Sequence, residues 1–214
     1  MKKYTFQLIL LTLILAGLAC NLPYQNLAVD VPTATAPAAG YREETRVVEG
    51  NLITLSVPES YYVGSTVAEL DDLVDNLGIG PVDLTGLLGG AQTDVLVWGY
   101  DDGSTAAVPT SFVVIKNEEY GAMPLGLIST LATPLLGSNV EILQENRLTI
   151  AGRDTLRWVT ITREGGLEFT QAVYIFKDSG VIYLIAFNAD QQEVYAQLPN
   201  YDAIVASLRI EDLE

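Results

Sequence analysis

The chain has 214 residues, 49% of them apolar, with 27 acidic and 11 basic residues and a net charge of −16. That length allows a single domain with a substantial core. So acidic a balance excludes a nucleic-acid partner, because no basic patch is available to displace phosphate counterions. Histidine is absent, which removes Ser-His-Asp triads, HExxH metal sites and imidazole acid-base chemistry. The single cysteine, Cys20, rules out an internal disulfide and Cys-ligated zinc.

The N-terminus reads as a secretory signal over residues 1–19. Met1-Lys2-Lys3 is positive, Tyr4 to Ala19 is an apolar run, and small residues precede Cys20. The run is shorter than the ~20 residues of a spanning helix. Ala16-Gly17-Leu18-Ala19-Cys20 resembles the lipobox of bacterial lipoproteins. The resemblance implies cleavage before Cys20 and its acylation, so that two or three chains hold the protein at a membrane. The alternative is a plain secreted protein. Loss of the leader removes Lys2 and Lys3, leaving 9 basic against 27 acidic residues and a net charge of −18.

Residues 20–45 read as the lipidated cysteine and a disordered tether. Pro23, Pro32, Pro37 and the Thr/Ala-rich tract offer no periodic apolar face. Fully extended, the tether would reach ~80 Å. Residues 46–214 read as one globular domain.

Within it, Leu52 to Val57 alternates as a strand ended by Pro58. Thr66 to Leu77 reads as a helix, with Thr66 and Glu69 as a capping box and Val67, Leu70, Val74 and Leu77 as its stripe. Asp94 to Tyr100 and Ser111 to Lys116 read as strands. Pro124 to Thr133 reads as a short helix with proline in its first turn. Glu141 to Gln144 and Arg147 to Ile150 read as two short extended pieces before a turn at Gly152. Thr155 to Arg163, Leu167 to Phe176 and Val181 to Phe187 read as strands joined at Gly165-Gly166 and Asp178-Ser179-Gly180. Gln191 to Leu198 and Tyr201 to Leu208 read as helical pieces, and Leu208 to Ile210 as a closing strand.

The hairpins require antiparallel neighbours, and strands apolar on both sides require cover on both faces. The expected class is α+β: an antiparallel sheet with helices on both faces, an α/β/α sandwich. The opening strand running into Pro58, the extended piece and turn at Val140 to Gly152, the hairpin strands from Leu167 to Phe187, and the closing helix and strand from Tyr201 to Ile210 together resemble the PsbP/Mog1-like superfamily. The resemblance covers about 160 residues as an order of elements. It implies an accessory, assembly or binding role. It carries over no catalytic residue and no cofactor.

Carboxylates are the remaining source of chemistry. Asp71, Asp72 and Asp75 read as the solvated face of the first helix, since no EF-hand spacing accompanies them. Asp101-Asp102-Gly103-Ser104 reads as a turn before a calcium loop. Glu164 and Glu168 flank a hairpin and read as solubilising residues before a glycosidase pair. Ser111 or Ser129 could serve as a nucleophile only with help from Lys116 or Lys177, the two lysines left in the mature chain. Residues 121–140 carry no charge, and Leu125, Ile128, Leu131 and Leu135 share the spacing of a core-facing stripe. The Gly86-Leu87-Leu88-Gly89-Gly90 segment suits a core poorly, so Leu87 and Leu88 are expected to contact a partner.

The resulting expectation is a membrane-anchored extracytoplasmic lipoprotein that binds or assembles with an envelope protein, without cofactor or metal and without catalysis. A carrier with an apolar pocket between sheet and helices, or a carboxylate-based hydrolase, are the other readings.

Overall fold

The computed structural model describes residues 29–31, 40–65, 93–104, 109–132, 140–164, 167–189 and 191–213. The helix expected at 66–77, the Gly-rich segment with Leu87 and Leu88, and Cys20 lie outside them.

The strands are β1 (Val29–Val31), β2 (Tyr41–Val48), β3 (Asn51–Pro58), β4 (Tyr61–Gly64), β5 (Thr93–Asp101), β6 (Ser111–Asn117), β7 (Val140–Ile150), β8 (Arg153–Glu164), β9 (Leu167–Asp178), β10 (Val181–Ala189) and β11 (Arg209–Asp212). The helices are α1 (Leu125–Ala132), between β6 and β7, and α2 (Gln191–Ser207), between β10 and β11. Eight strands form one sheet in the order β1-β7-β8-β9-β10-β6-β5-β4, and β11-β3-β2 form a second. Every pairing is antiparallel except that of β1, which runs parallel to β7 at Leu148–Ile150.

The meander from β7 to β10 follows from local chemistry. Two of its connections are two-residue turns, Ala151-Gly152 and Ser179-Gly180, with all four residues at positive φ. Those are type I′ hairpin turns, whose twist matches that of the flanking strands. Period-two alternation then sorts the side chains. Tyr174 and Phe176 of β9 and Tyr183, Ile185 and Phe187 of β10 join one cluster. Val173 and Ile175 of β9 and Ile182, Leu184 and Ala186 of β10 join the other.

What covers these faces corrects the expected architecture. Among the described residues the protein is mostly β, with two sheets and two helices. It is not an α/β/α sandwich with helices on both faces of one sheet. The opening and closing strands, β3 and β11, pair with each other and with β2, so the layer over the first face is a small sheet together with α2. On that layer Ile53, Leu55 and Val57 of β3 and Val194, Tyr201, Ile204 and Val205 of α2 are buried. Over the second face lies the eight-residue α1, which seats Leu125 and Ile128 on Leu156 and Trp158.

Three element boundaries also differ from the sequence reading. β2 starts at Tyr41, inside the span read as tether. The two pieces expected at 141–150 are one strand with a register shift between Ile142 and Gln144. The two helical pieces at the C-terminus are one helix with Pro199 inside it. Interior proline costs about 3 kcal/mol. Burial of Val194 before it and Tyr201, Ile204 and Val205 after it holds both halves on the sheet and offsets that cost.

Candidate functional site

Among the described residues, two recesses lie at the seams between these layers. The first, of about 350 Å³, runs between α1 and the β7–β8 hairpin and is lined by Leu125, Ser129, Thr130, Glu145, Arg147 and Leu156 among others. Its acid is engaged. One oxygen of Glu145, Oε2, accepts hydrogen bonds from Ser129 Oγ at 2.8 Å and from the Trp158 indole Nε1 at 2.9 Å. Trp158 is buried, and its N–H needs such an acceptor. Arg147 is held by Asp154, with Nε to Oδ1 at 2.8 Å, on the outer face of the hairpin.

The second recess, of about 290 Å³, opens where the end of β3, the β4–β5 pair and α2 meet. Tyr61, Thr110 and Tyr201 lie buried along it, and Asp101, Gln197 and Asn200 also line it. Tyr201 is set by its ring, which stacks on Phe187 with centroids 4.2 Å apart. Tyr61 stacks on Phe112 at 6.0 Å. Burial pushes both phenols well above the usual tyrosine range, reinforced at Tyr61 by Tyr201 and Asp101 and at Tyr201 by Glu193. Thr110 lies close enough to both to oppose those shifts. The Tyr201 hydroxyl is itself fully buried, with Thr110 beside it. Asn200 Nδ2 donates to Gln197 Oε1 at 2.6 Å, joining the two amides at the rim. Asp101 Oδ1 accepts the amide of Gly103 at 3.1 Å.

No family model matches the chain, and no curated protein matches it. Solved structures do. Cyanobacterial PsbP (CyanoP) from Synechocystis is similar over 85% of this chain and 98% of its own, at 10% identity and a TM-score of 0.48. LpqN of Mycobacterium tuberculosis, described as involved in cell envelope biogenesis, is similar over 79% of this chain and 91% of its own, at 12% identity and a TM-score of 0.47. A protein of unknown function from Pseudomonas aeruginosa is similar over 78% and 96%, at 10% identity and a TM-score of 0.42. One of these similar structures is a PsbP protein, the family the sequence resembles. With identities of 10–12% and TM-scores below 0.5, the similarities assign this chain no role.

The residues singled out in the sequence fall apart in space. Asp101 to Ser104 forms a turn, with Ser104 N donating to Asp101 O at 3.1 Å beside the Asp101–Gly103 bond. Glu168 pairs with Arg163 at 3.0 Å, and so does Glu141 across two strands; all three are solvent-exposed. The side chain of Glu164 lies outside the described residues. Ser111 accepts from Asn188 Nδ2 at 3.3 Å, at the end of a polar row from Thr160 through Gln171. Lys116 is bound to Glu118 at 2.9 Å, and Lys177 donates to the Met123 carbonyl at 2.8 Å. Neither lysine is brought to Ser111 or Ser129. Leu125 and Ile128 are core residues, while the side chains of Leu131 and Leu135, like Cys20, Leu87, Leu88, Asp71, Asp72 and Asp75, lie outside the described residues. Among the described residues no cluster of three His, Cys, Asp or Glu is placed to hold a metal. Among them no helix is long and apolar enough to cross a membrane.

Sequence reasoning missed Tyr61, Thr110 and Tyr201. The only local signal of the two tyrosines is a phenol at an otherwise core-facing position, Thr110 carries none, and nothing local separates a phenol that fills a core from one that lines a recess.

Proposed function

We propose that this chain is a lipid-anchored, extracytoplasmic module of the cell envelope that acts by binding or assembly and not by catalysis. The observation that carries the reading is the recess at the α2 seam, a small open cavity lined in part by hydrogen-bonding side chains. The lipobox-like sequence ending at Cys20 supports the anchor. Engagement of Glu145 by Ser129 and Trp158 supports a structural role for the acid of the other recess. Leu87 and Leu88 remain proposed partner contacts. The hydrolase reading gains no comparable support, since Glu141 and Glu168 sit in ion pairs with Arg163 and Glu145 is engaged by Ser129 and Trp158.

The test is made in a bacterial host. A palmitate analogue should label the wild type and leave Cys20→Ser unlabelled and released from membranes. The purified protein should turn over no ester or glycoside substrate. An unlabelled wild type refutes the anchor, and turnover abolished by Glu145→Gln refutes the non-catalytic role.

A further inference from the structure

We propose that β1 is a strap. It docks the tether on the edge of the large sheet, and so sets how near the head stands to its lipid anchor and which end turns to the bilayer. The inference rests on the anchor reading of Cys20 and adds a height and an orientation to it.

Three observations carry it. The span ahead of Tyr41 reads as tether, yet Val29–Val31 within it pairs with Leu148–Ile150 of β7. Among the described residues β1 is the outermost strand on that side of the eight-stranded sheet, and its pairing is parallel. No hairpin imposes that pairing, since its partners lie far apart in the chain. Its place on β7 is also selective. Exposed and half-buried side chains alternate along most of β7. Leu148 and Ile150, 2% and 0% exposed, are its two core positions, and β1 covers the strand there. An open edge at that point would set free N–H and C=O groups beside the core, a template for foreign strands. The chain is fixed again at Gly40, whose carbonyl accepts the amide of Glu59 at 2.9 Å.

Chain length turns the docking into a position. Nine residue steps separate Cys20 from Val29. Fully extended they reach ~30 Å, against ~65 Å were Gly40 the first fixed point. Because β1 runs parallel to β7, the chain enters it from the Val140 end. Val140 pairs with Thr162, so the end of β8 at Glu164 and the start of β9 at Leu167 lie at that same end. The Ala151-Gly152 and Ser179-Gly180 turns lie at the other. The first end therefore faces the bilayer, and the two turns face outward, where an envelope partner would meet them. A parallel ladder this short is weak, so the strap can be broken without unfolding the head.

Two experiments test the proposal. The first does not need the anchor. In the full chain carrying Cys20→Ser, in detergent, Asp30→Cys/Thr149→Cys puts thiols on paired residues. It should close a disulfide about tenfold faster or more than Asp30→Cys/Leu143→Cys, whose second thiol lies farther along β7 than a disulfide spans. Equal rates would overturn the strap. The second uses the lipidated protein in phosphatidylcholine vesicles that hold an acceptor-labelled lipid. Acylation consumes the Cys20 thiol, so a donor dye attaches only at Glu168→Cys or at Asp178→Cys, near opposite ends of β9. The sites stand ~33 Å apart along the strand, and energy transfer should be about twofold higher or more from Glu168→Cys. Val29→Gly/Asp30→Pro/Val31→Gly, which removes the pairing, should bring the two values together while Tm falls by no more than about 4 °C. Equal transfer from the two sites with β1 intact, or a difference that survives its loss, would overturn the orientation. A protein that fails to join the vesicles and takes no palmitate label refutes the anchor instead, and the thiol pair still decides the strap.

Discussion

Asp202 is the residue whose replacement tests the packing of α2 most directly. Arg157 of β8 and Asp202 of α2 are joined by two contacts of 3.0 and 3.1 Å, and Tyr174 of β9 donates to the same carboxylate at 2.7 Å. The two charged side chains are 11% and 13% exposed, so solvent screens the pair little. Asp202→Ala would leave a guanidinium uncompensated and a buried phenol without an acceptor. Breaking a buried pair from one side costs about 3–5 kcal/mol, and stranding a neutral donor about 1–3 kcal/mol. The two losses share one site and overlap, so about 4 kcal/mol is expected. For a domain of this size that lowers Tm by about 8–16 °C. Urea denaturation followed by far-UV circular dichroism measures it, with an unchanged m-value as the sign that the folded state is intact. The double variant Arg157→Met/Asp202→Leu should recover most of the loss, because no buried charge then remains. A loss under about 1 kcal/mol for Asp202→Ala, the range of exposed pairs, would refute the reasoning.

Three other outcomes follow from the packing. Burial raises the phenols of Tyr61, Tyr174 and Tyr201 well above the ordinary tyrosine value. Their contribution is therefore complete below about pH 10, where the unfolded phenols ionise, and declines above it by up to about 4 kcal/mol per pH unit for the three. Alkaline denaturation paired with phenolate absorbance checks this, and reversible ionisation of all the tyrosines near pH 10 in the folded protein would contradict it. A methyl group at Gly121 would stand 1.6 Å from the Gly180 carbonyl oxygen, backbone against backbone, so Gly121→Ala should destabilise by about 3 kcal/mol or more in the same urea assay. Arg153 donates to the Leu208 and Val205 carbonyls at the end of α2, at 3.1 and 2.6 Å, and lies 4.4 Å over the Phe176 ring. Arg153→Lys, which keeps the charge and loses the planar fork, should cost about 1–2 kcal/mol and increase hydrogen exchange in the last turn of α2.

The run from β8 to β10 was legible because two local signals agree there: strands apolar on both sides, and turn residues that dictate hairpins. The second layer was not. β3 alternates in the same way whether it joins the large sheet or pairs with β2 and β11. The strand at 41–48 carries two arginines and two glutamates and has no apolar face, so its first five residues read as tether until β3 is beside them. β4, four residues long, has too little pattern to announce itself. The polar pair Glu145-Asn146 split β7 on paper, yet it belongs to a strand whose outer side chains face water and which bends at a bulge.

The candidate site divides in the same way. That histidine is absent, that Cys20 is the single cysteine and that the chain is strongly acidic are facts of composition, and the sequence alone decides them. The recess unites Tyr61, Asp101 and Thr110 with Gln197, Asn200 and Tyr201, groups separated by more than eighty residues. Only the packing of α2 beside the small sheet and against the large one brings them together. A side chain's chemical type is local, whereas its neighbours and its exposure depend on contacts between distant segments.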